Sequence, residues 1–317
     1  MSAADITPVA GDWPAPGAVR SGFALRLEEA PLVRPVDPAL PRHAFTVDVE
    51  DWYQSCLDYD APITDRVLRN VDRILSVLDE FGVKGSFFIQ GRVAETYPRL
   101  ASSLVADGHE VQSHGYSHRP LFAMNRAELR NELERAKATV EDAAGTAVTA
   151  FRAQDFSIHA SNLWAVETLH EVGFEIDSSI FAMRSRHYGI TGWPLGPHYL
   201  VMAGGARILE IPVAIWPFAR MKLPVAGGGY FRVLPRPILE RGLRAIETAG
   251  RPAIVYCHPY EFNADELDGY RGYSDVSRRL RMSQGMGRGA FTDRVRHLLS
   301  TLSFGRLDDV LAAWGLR

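Results

Sequence analysis

From His43 to Asp177 short β-rich runs alternate with helical periods, and nearly every run ends on a polar residue. His43-Ala44-Phe45-Thr46-Val47-Asp48-Val49 runs into Glu50, Asp51 and Trp52. Gly85 to Ile89 is a second run. His109 to Gln112 runs into Ser113 and His114. Ala150-Phe151-Arg152 is a fourth, and Gly173 to Asp177 a fifth. Between them, residues 65–81 carry Val67, Leu68, Val71, Ile74, Leu75 and Leu78 at helical spacing, with Gly82 as the stop. Residues 93–107, 126–144 (with Asn125 as N-cap) and 161–172 read as helices too. Strands joined by helical crossovers form a parallel sheet. The expected fold is therefore α/β, a parallel barrel whose polar strand ends gather at one mouth.

After Ser178 the alternation breaks. Residues 180–232 read as loops and short strands, among them Ile208 to Pro212 and Gly227 to Phe231. A helix over 234–249 leads to Pro252-Ala253-Ile254-Val255-Tyr256-Cys257-His258, a late buried strand ending in a histidine. Residues 264–290, rich in Gly, Arg, Asp and Ser, form an irregular excursion, and helices over 291–302 and 306–314 close the chain. Residues 1–42 contain Trp13-Pro14-Ala15-Pro16, Pro31, Pro35, Pro38 and Pro41. They read as an extended proline-rich arm that wraps the domain or contributes to a homodimer. The catalytic barrel then occupies residues 43–317, with an irregular C-terminal extension.

Charge narrows the partners. The 317 residues carry a formal charge of −3 and no basic block, which argues against nucleic acid and anionic membrane surfaces. The two cysteines, Cys56 and Cys257, make no disulfide framework and suit a reducing compartment. No run of about 18 apolar residues is present. Met1 to Ala10 lacks the basic start and apolar core of a secretion signal, so a cytoplasmic location is expected.

His114 and His118 are four residues apart, a spacing that turns two imidazoles the same way. Alone the pair reads more readily as two surface histidines on a loop. The remaining polar strand ends are Asp48, Glu50, Asp51, Arg152, Asp177 and His258. One carboxylate and two histidines make a three-ligand zinc site with open positions. A second acid to take a proton from water, a histidine to give one to a leaving group, and an arginine to orient the base complete a kit for metal-assisted hydrolysis of an amide or ester.

Five stretches in order resemble the polysaccharide deacetylase family of metal-dependent carbohydrate esterases, and most of all its bacterial branch associated with exopolysaccharide gene clusters. They are Asp48-Val49-Glu50-Asp51-Trp52, Ser113 to His118, Phe151 to Ser157, Ile176 to Ser179, and Gly227 to Arg232. The resemblance spans roughly residues 43–262 and implies a distorted (β/α)7-type barrel. It implies Asp48 as general base, His114 and His118 as metal ligands, and Glu50 as the third ligand, with Asp51 as the alternative. Arg152 would hold Asp48, His258 would be the general acid and Asp177 its orienting partner. The metal would be zinc, with cobalt, manganese or nickel as alternatives. A backbone N–H near Ala153 or Gln154 would join the metal at the oxyanion. The family usually has proline where Gln154 stands, which bears on the substrate pocket.

Trp52, Tyr230 and Gln154 are the candidate substrate contacts; Tyr53, Trp193 and Trp216 are further aromatics able to stack on a sugar or fill the core. His109, His159, His170, His187, His198 and His297 lack strand-end context and read as structural or exposed. Cys257, next to His258, points to the opposite side of its strand by alternation and reads as packing. The expected activity is removal of an N-acetyl or other N-acyl group from an amino sugar or glycan precursor. The alternatives are a same-fold amidase acting on a small ureide or formamide, and a metal-free glycan-binding module.

Overall fold

The fold is seen in a computed structural model, which describes residues 25–183, 188–219 and 221–317. Most of the proline-rich arm and His187 lie outside the described residues. Twelve strands are present among the described residues: β1 Arg26–Glu29, β2 His43–Val49, β3 Ser86–Ile89, β4 Glu110–Ser113, β5 Ala150–Phe151, β6 Ile176–Asp177, β7 His198–Val201, β8 Arg207–Glu210, β9 Ile215–Phe218, β10 Met221–Pro224, β11 Ala253–Cys257 and β12 Phe304–Gly305. The main sheet runs β1-β7-β8-β6-β5-β4-β3-β2-β11, with β12 beside β2. From β8 through β11 every pairing is parallel; only β7 and β1 are antiparallel, at one edge. Leu27 of the arm pairs with Leu200, so this part of the arm is an edge strand on the domain.

The helices are α1 Trp52–Cys56, α2 Arg66–Glu80, α3 Gly91–Thr96, α4 Pro98–Ala106, α5 Arg126–Ala144, α6 Ala165–Glu171, α7 Gly228–Val233, α8 Arg236–Thr248, α9 Arg278–Gly285, α10 Phe291–Thr301 and α11 Leu307–Ala313. α5 matches its sequence reading residue for residue, because Asn125 and Glu128 form a reciprocal capping box and Gly145 ends it at φ 69°. The single helix expected over 93–107 is two, because Pro98 cannot continue α3 and instead starts α4. The stretch Gly227 to Phe231, read as extended, is largely helical: α7 begins at Gly228.

The barrel is distorted and not closed by a strand ladder. After β8, Pro212 removes a ladder donor, and the irregular segment beyond it approaches β11 instead. Ala214 N–H donates to Ile254 O at 2.9 Å, Tyr256 N–H to Ala226 O at 2.8 Å, and Gly227 bridges Tyr256.

Alternation on β2 sorts the layers. Phe45, Val47 and Val49 face the helices and join the large outer core with Val71, Ile74 and Leu133. Ala44 faces inward with Phe88, Ala150, Ile176, Leu209 and Ile254, and α11 plugs this end with Leu307, Leu311 and Trp314. Above that apolar layer, Thr46, Arg152, Asp177 and Glu210 form a buried polar layer. Asp48, Glu50, His114 and His258 lie at the open end, at or just past the C-termini of β2, β4 and β11.

Candidate metal centre and cleft

Asp48 and Glu50 are two residues apart at the end of β2, so both carboxylates leave the same face. Glu50 is buried, and its Oε2 contacts Nε2 of His118 and lies 3.4 Å from Nε2 of His114. Ligand atoms of Glu50, His114 and His118 all lie within 4.8 Å of one another. Burial alone would push the Glu50 carboxyl up; His118, with His114 and His258 behind it, outweighs burial and holds it well below the usual range. Tyr260 donates to Oε1 of Glu50 at 2.8 Å, while Oε2 has no conventional hydrogen-bond donor among the described residues.

This donor set fits a divalent metal. One carboxylate oxygen and two imidazole nitrogens converge, and the other nitrogen of His114 lies 3.0 Å from Arg152 O, the backbone contact that fixes a ligating tautomer. The loop carrying both histidines is held from several sides. Gly115 O accepts from Gly91 N–H at 2.7 Å at the start of α3. Glu132 of α5 accepts from the backbone N–H groups of Tyr116 and Ser117, at 3.0 and 2.6 Å. His118 sits at φ 66° and Gly115 at φ 69°; a Cβ on Gly115 would come 2.5 Å from the Gln154 side chain.

Asp51, the alternative third ligand, does different work. Its Oδ1 accepts from Tyr53 N–H at 3.1 Å and Gln54 N–H at 3.4 Å, which caps α1, and its Oδ2 accepts from Thr64 N–H at 3.0 Å and from the Thr64 hydroxyl. The strand end bends into α1 at that point, which turns Asp51 away from the histidines.

Arg152, at the end of β5, is fully buried and donates from Nη1 to Asp48 Oδ1 and to Thr46 Oγ1, both at 2.7 Å. Its Nη2 donates to Ser178 Oγ at 3.1 Å, and its plane lies 4.3 Å over the Phe88 ring. The guanidinium therefore has one orientation, and Asp48 is tied to it.

His258 turns Nε2 toward Glu50, 3.9 Å from Oε1, and stacks on Tyr260 at 5.0 Å and 7°. Burial pulls its imidazole down, but the hydrogen bond to Glu261 and the charges of Glu50, Glu261 and Asp48 lift it to about 9. Asp177, expected as its partner, is hydrogen-bonded to Ser179 and to Glu210 inside the barrel. The reason is its position: Asp177 lies within β6, one layer below the mouth, whereas Glu261 follows His258 by three residues and reaches it directly at 3.1 Å. The sequence carried that signal, since His258-Pro259-Tyr260-Glu261 has the spacing of a capping box.

The cleft over these groups holds about 210 Å³ and is lined by Asp48, Glu50, His114, His118, His258 and Tyr260 among others. None of the three expected substrate contacts lines it. Trp52 is buried in a cluster with Tyr260, Leu267, Tyr270 and Val276, because α1 folds beneath the 264–290 excursion. Gln154 is buried under Gly115, and neither amide atom has a hydrogen-bond partner among the described residues. Tyr230 is half-buried on α7 and is not among the lining residues; Gly228, Gly229 and Arg232 of the same helix are. Tyr53 donates to Asp275 at 2.7 Å, and Trp193 and Trp216 are buried. Ala153 N–H, one candidate oxyanion donor, donates to Ser179 Oγ at 2.8 Å. Cys257 is buried in the outer core and lines no part of the cleft.

The neighbouring residue Asp155 was not singled out by spacing, yet it lines the cleft at φ 53°, followed by Phe156 at φ 49°. Phe156 is wedged among Phe181, Tyr188 and Tyr256, which holds this strained turn in place. The cleft walls push the Asp155 carboxyl up, and His118 opposes them. Gln284 brings the 264–290 excursion to the cleft as one wall.

Residues 59–170 match the polysaccharide deacetylase family, and residues 178–312 match a domain family described as of unknown function, DUF3473. The first match takes in His114, His118 and Arg152, while Asp48, Glu50 and His258 fall outside it. A peptidoglycan-N-acetylglucosamine deacetylase of Bacillus cereus is 32% identical over 96 residues, 30% of this chain and 35% of that protein. The chain spans less than half the length of the curated relatives it matches. Among solved structures, a polysaccharide deacetylase-type protein from Mycobacterium smegmatis superposes with a TM-score of 0.55 at 22% identity, covering 88% of this chain and 91% of that one. PuuE allantoinase superposes with the same TM-score at 16% identity, covering 89% and 93%. At these identities the likeness is one of fold.

Proposed function

The chain carries a domain of the polysaccharide deacetylase family, and from that premise we propose that it is a metal-dependent hydrolase removing an N-acetyl or other N-acyl group from an amino sugar or glycan precursor. The observation that carries this reading is the convergence of Glu50, His114 and His118 beside a carboxylate, Asp48, and a histidine, His258, in one cleft. A divalent metal held by those three residues, zinc being the best match to one carboxylate and two imidazoles, supplies a Lewis acid that activates water and polarises the acyl carbonyl.

The chain's own groups do the rest. Asp48 takes the proton from the attacking water, and Arg152 and Thr46 fix where its carboxylate points. His258 delivers a proton from Nε2 to the departing amine. Tyr260 holds Oε1 of Glu50, leaving Oε2 to face His114 and His118. Asp51, Trp52 and Gln154 support the site from behind. We place the catalytic barrel in residues 43–317, with the edge strand β1 as part of the N-terminal arm of residues 1–42. No helix among the described residues is long and apolar enough to cross a membrane. The free thiols Cys56 and Cys257 are the support for a reducing, cytoplasmic setting and for a precursor glycan as substrate.

The modest cleft volume favours a second reading, a same-fold amidase acting on a small C–N bond. Product analysis separates the two. Metal-stripped protein should release no acetate from N-acetylglucosamine oligosaccharides, and added zinc should restore it. Release of ammonia from small ureides, with no acetate under any metal, would replace the deacetylase reading by the amidase.

A further inference from the structure

The Gly227-Gly228-Gly229-Tyr230-Phe231-Arg232 stretch has a structural purpose that the hydrolytic chemistry does not by itself require. A Cβ on Gly227 would lie 1.6 Å from Tyr256 O, so only glycine lets the chain start α7 directly against β11. That placement carries Arg232 to the buried carboxylate of Glu261, with Nε 3.3 Å from Oε1. Arg232 is also tied through Nη1 to Gln284 O of the excursion. The other oxygen of Glu261 accepts from the backbone N–H of His258 at 3.1 Å and lies 3.1 Å from Nδ1 of the same residue. Glu261 is 2% exposed.

A carboxylate joined twice to one residue sets both the place of the imidazole and its tautomer. With Nδ1–H held on Glu261, Nε2 is the nitrogen free to exchange a proton, and it is the one that faces Glu50 and the cleft. We propose that Glu261, clamped by Arg232, is the positioning residue that aims Nε2 of His258 at the leaving nitrogen of the substrate. This rests on the hydrolase reading above. In the step it supports, the C–N bond of the tetrahedral adduct at the acyl carbon breaks. The Nε2 proton goes to the nitrogen, the amine departs neutral, and the acyl group is left as the carboxylic acid. The imidazole keeps its Nδ1–H on Glu261 and regains its Nε2 proton from solvent; the proton that Asp48 took from water is returned there.

The inference is tested with zinc-loaded wild type, Glu261→Gln and Glu261→Asp. Each is assayed on N-acetylglucosamine oligosaccharides, whose amine must be protonated to leave, and on 4-nitrophenyl acetate, whose phenolate leaves without a proton. Glu261→Gln should lose roughly 10²–10⁴-fold in kcat on the amide, the size of a general-acid contribution. KM and bound zinc should be unchanged, aryl-ester turnover should stay within a few-fold, and Glu261→Asp should recover part of the loss. A ¹⁵N-edited imidazole spectrum should show the Nδ1–H signal of His258 in wild type and its displacement in Glu261→Gln. Equal losses on both substrates, unchanged amide turnover, or an unmoved Nδ1–H signal would overturn the role of Glu261. Wild type that binds no zinc and cleaves neither substrate would instead overturn the reading on which it rests.

Discussion

Arg152 and Asp48 meet at 2.7 Å although β5 and β2 are separated in the sheet by β3 and β4. Only a sheet curled tightly on itself brings those two strand ends together, so the ion pair marks the curvature that forms the cleft. Both residues are almost fully enclosed. Breaking such a pair by removing one partner strands the other charge, at about 3–5 kcal/mol. Arg152→Met should lower stability by that amount in urea unfolding, and Arg152→Met combined with Asp48→Asn should recover part of it. Loss of stability no greater in the single variant than in the double would contradict the penalty assigned to the stranded charge.

Gln154 offers a stabilising change. Its amide is buried without a partner, which costs about 1–3 kcal/mol for such a group. It opens a short 3₁₀ turn, and Ala153 before it has φ −70° and ψ 134°, backbone that accepts a following proline. Gln154→Pro should therefore raise the thermal midpoint by several degrees with metal binding intact. A lowered midpoint would contradict the reading of Gln154 as an unsatisfied buried amide.

Asp177 and Glu210 set a pH dependence of stability. Asp177 Oδ2 and Glu210 Oε2 have no donor among the described residues, and the two carboxyls pair with each other. Burial raises both: Asp177 to about 6, and Glu210 well above its usual range with Asp177 adding to the effect. The folded pair thus keeps a proton that the unfolded chain releases near pH 4. Stability from this pair is complete below the unfolded range and is lost as pH rises through 6 and beyond. Glu210→Gln should flatten that decline in a series of melts from pH 5 to pH 9. A wild-type profile with no downward slope over this window would contradict the shared proton.

Much of this was legible in the residues alone, and the exceptions have physical causes. Alternation along β2 placed Asp48 and Glu50 together, and the capping box at Asn125 fixed α5 to the residue. The convergence of His114, His118 and Glu50 followed from parallel strands sharing one mouth. What the sequence hid was depth. No linear pattern shows that Asp177 sits one layer below the mouth, whereas the three-residue spacing that returns Glu261 to His258 is visible in the chain once that depth is known. Trp52 looked like a sugar platform because an aromatic face can stack on a sugar ring, but the excursion over 264–290 covers it, and that packing depends on residues more than 200 positions away. Helix α7 was hidden by three glycines, which oppose helix by propensity and serve here to bring backbone against β11.

The most direct measurement is metal content and acetate release, made together on wild type, His114→Ala and Asp51→Asn. The account predicts one divalent metal per wild-type chain and acetate from an N-acetylated amino sugar. In His114→Ala both should be lost; in Asp51→Asn, whose amide oxygen can still cap α1, the metal should stay. Metal retained in His114→Ala, or lost in Asp51→Asn alone, would contradict the assignment of Glu50, His114 and His118 as the metal centre of the proposed hydrolase.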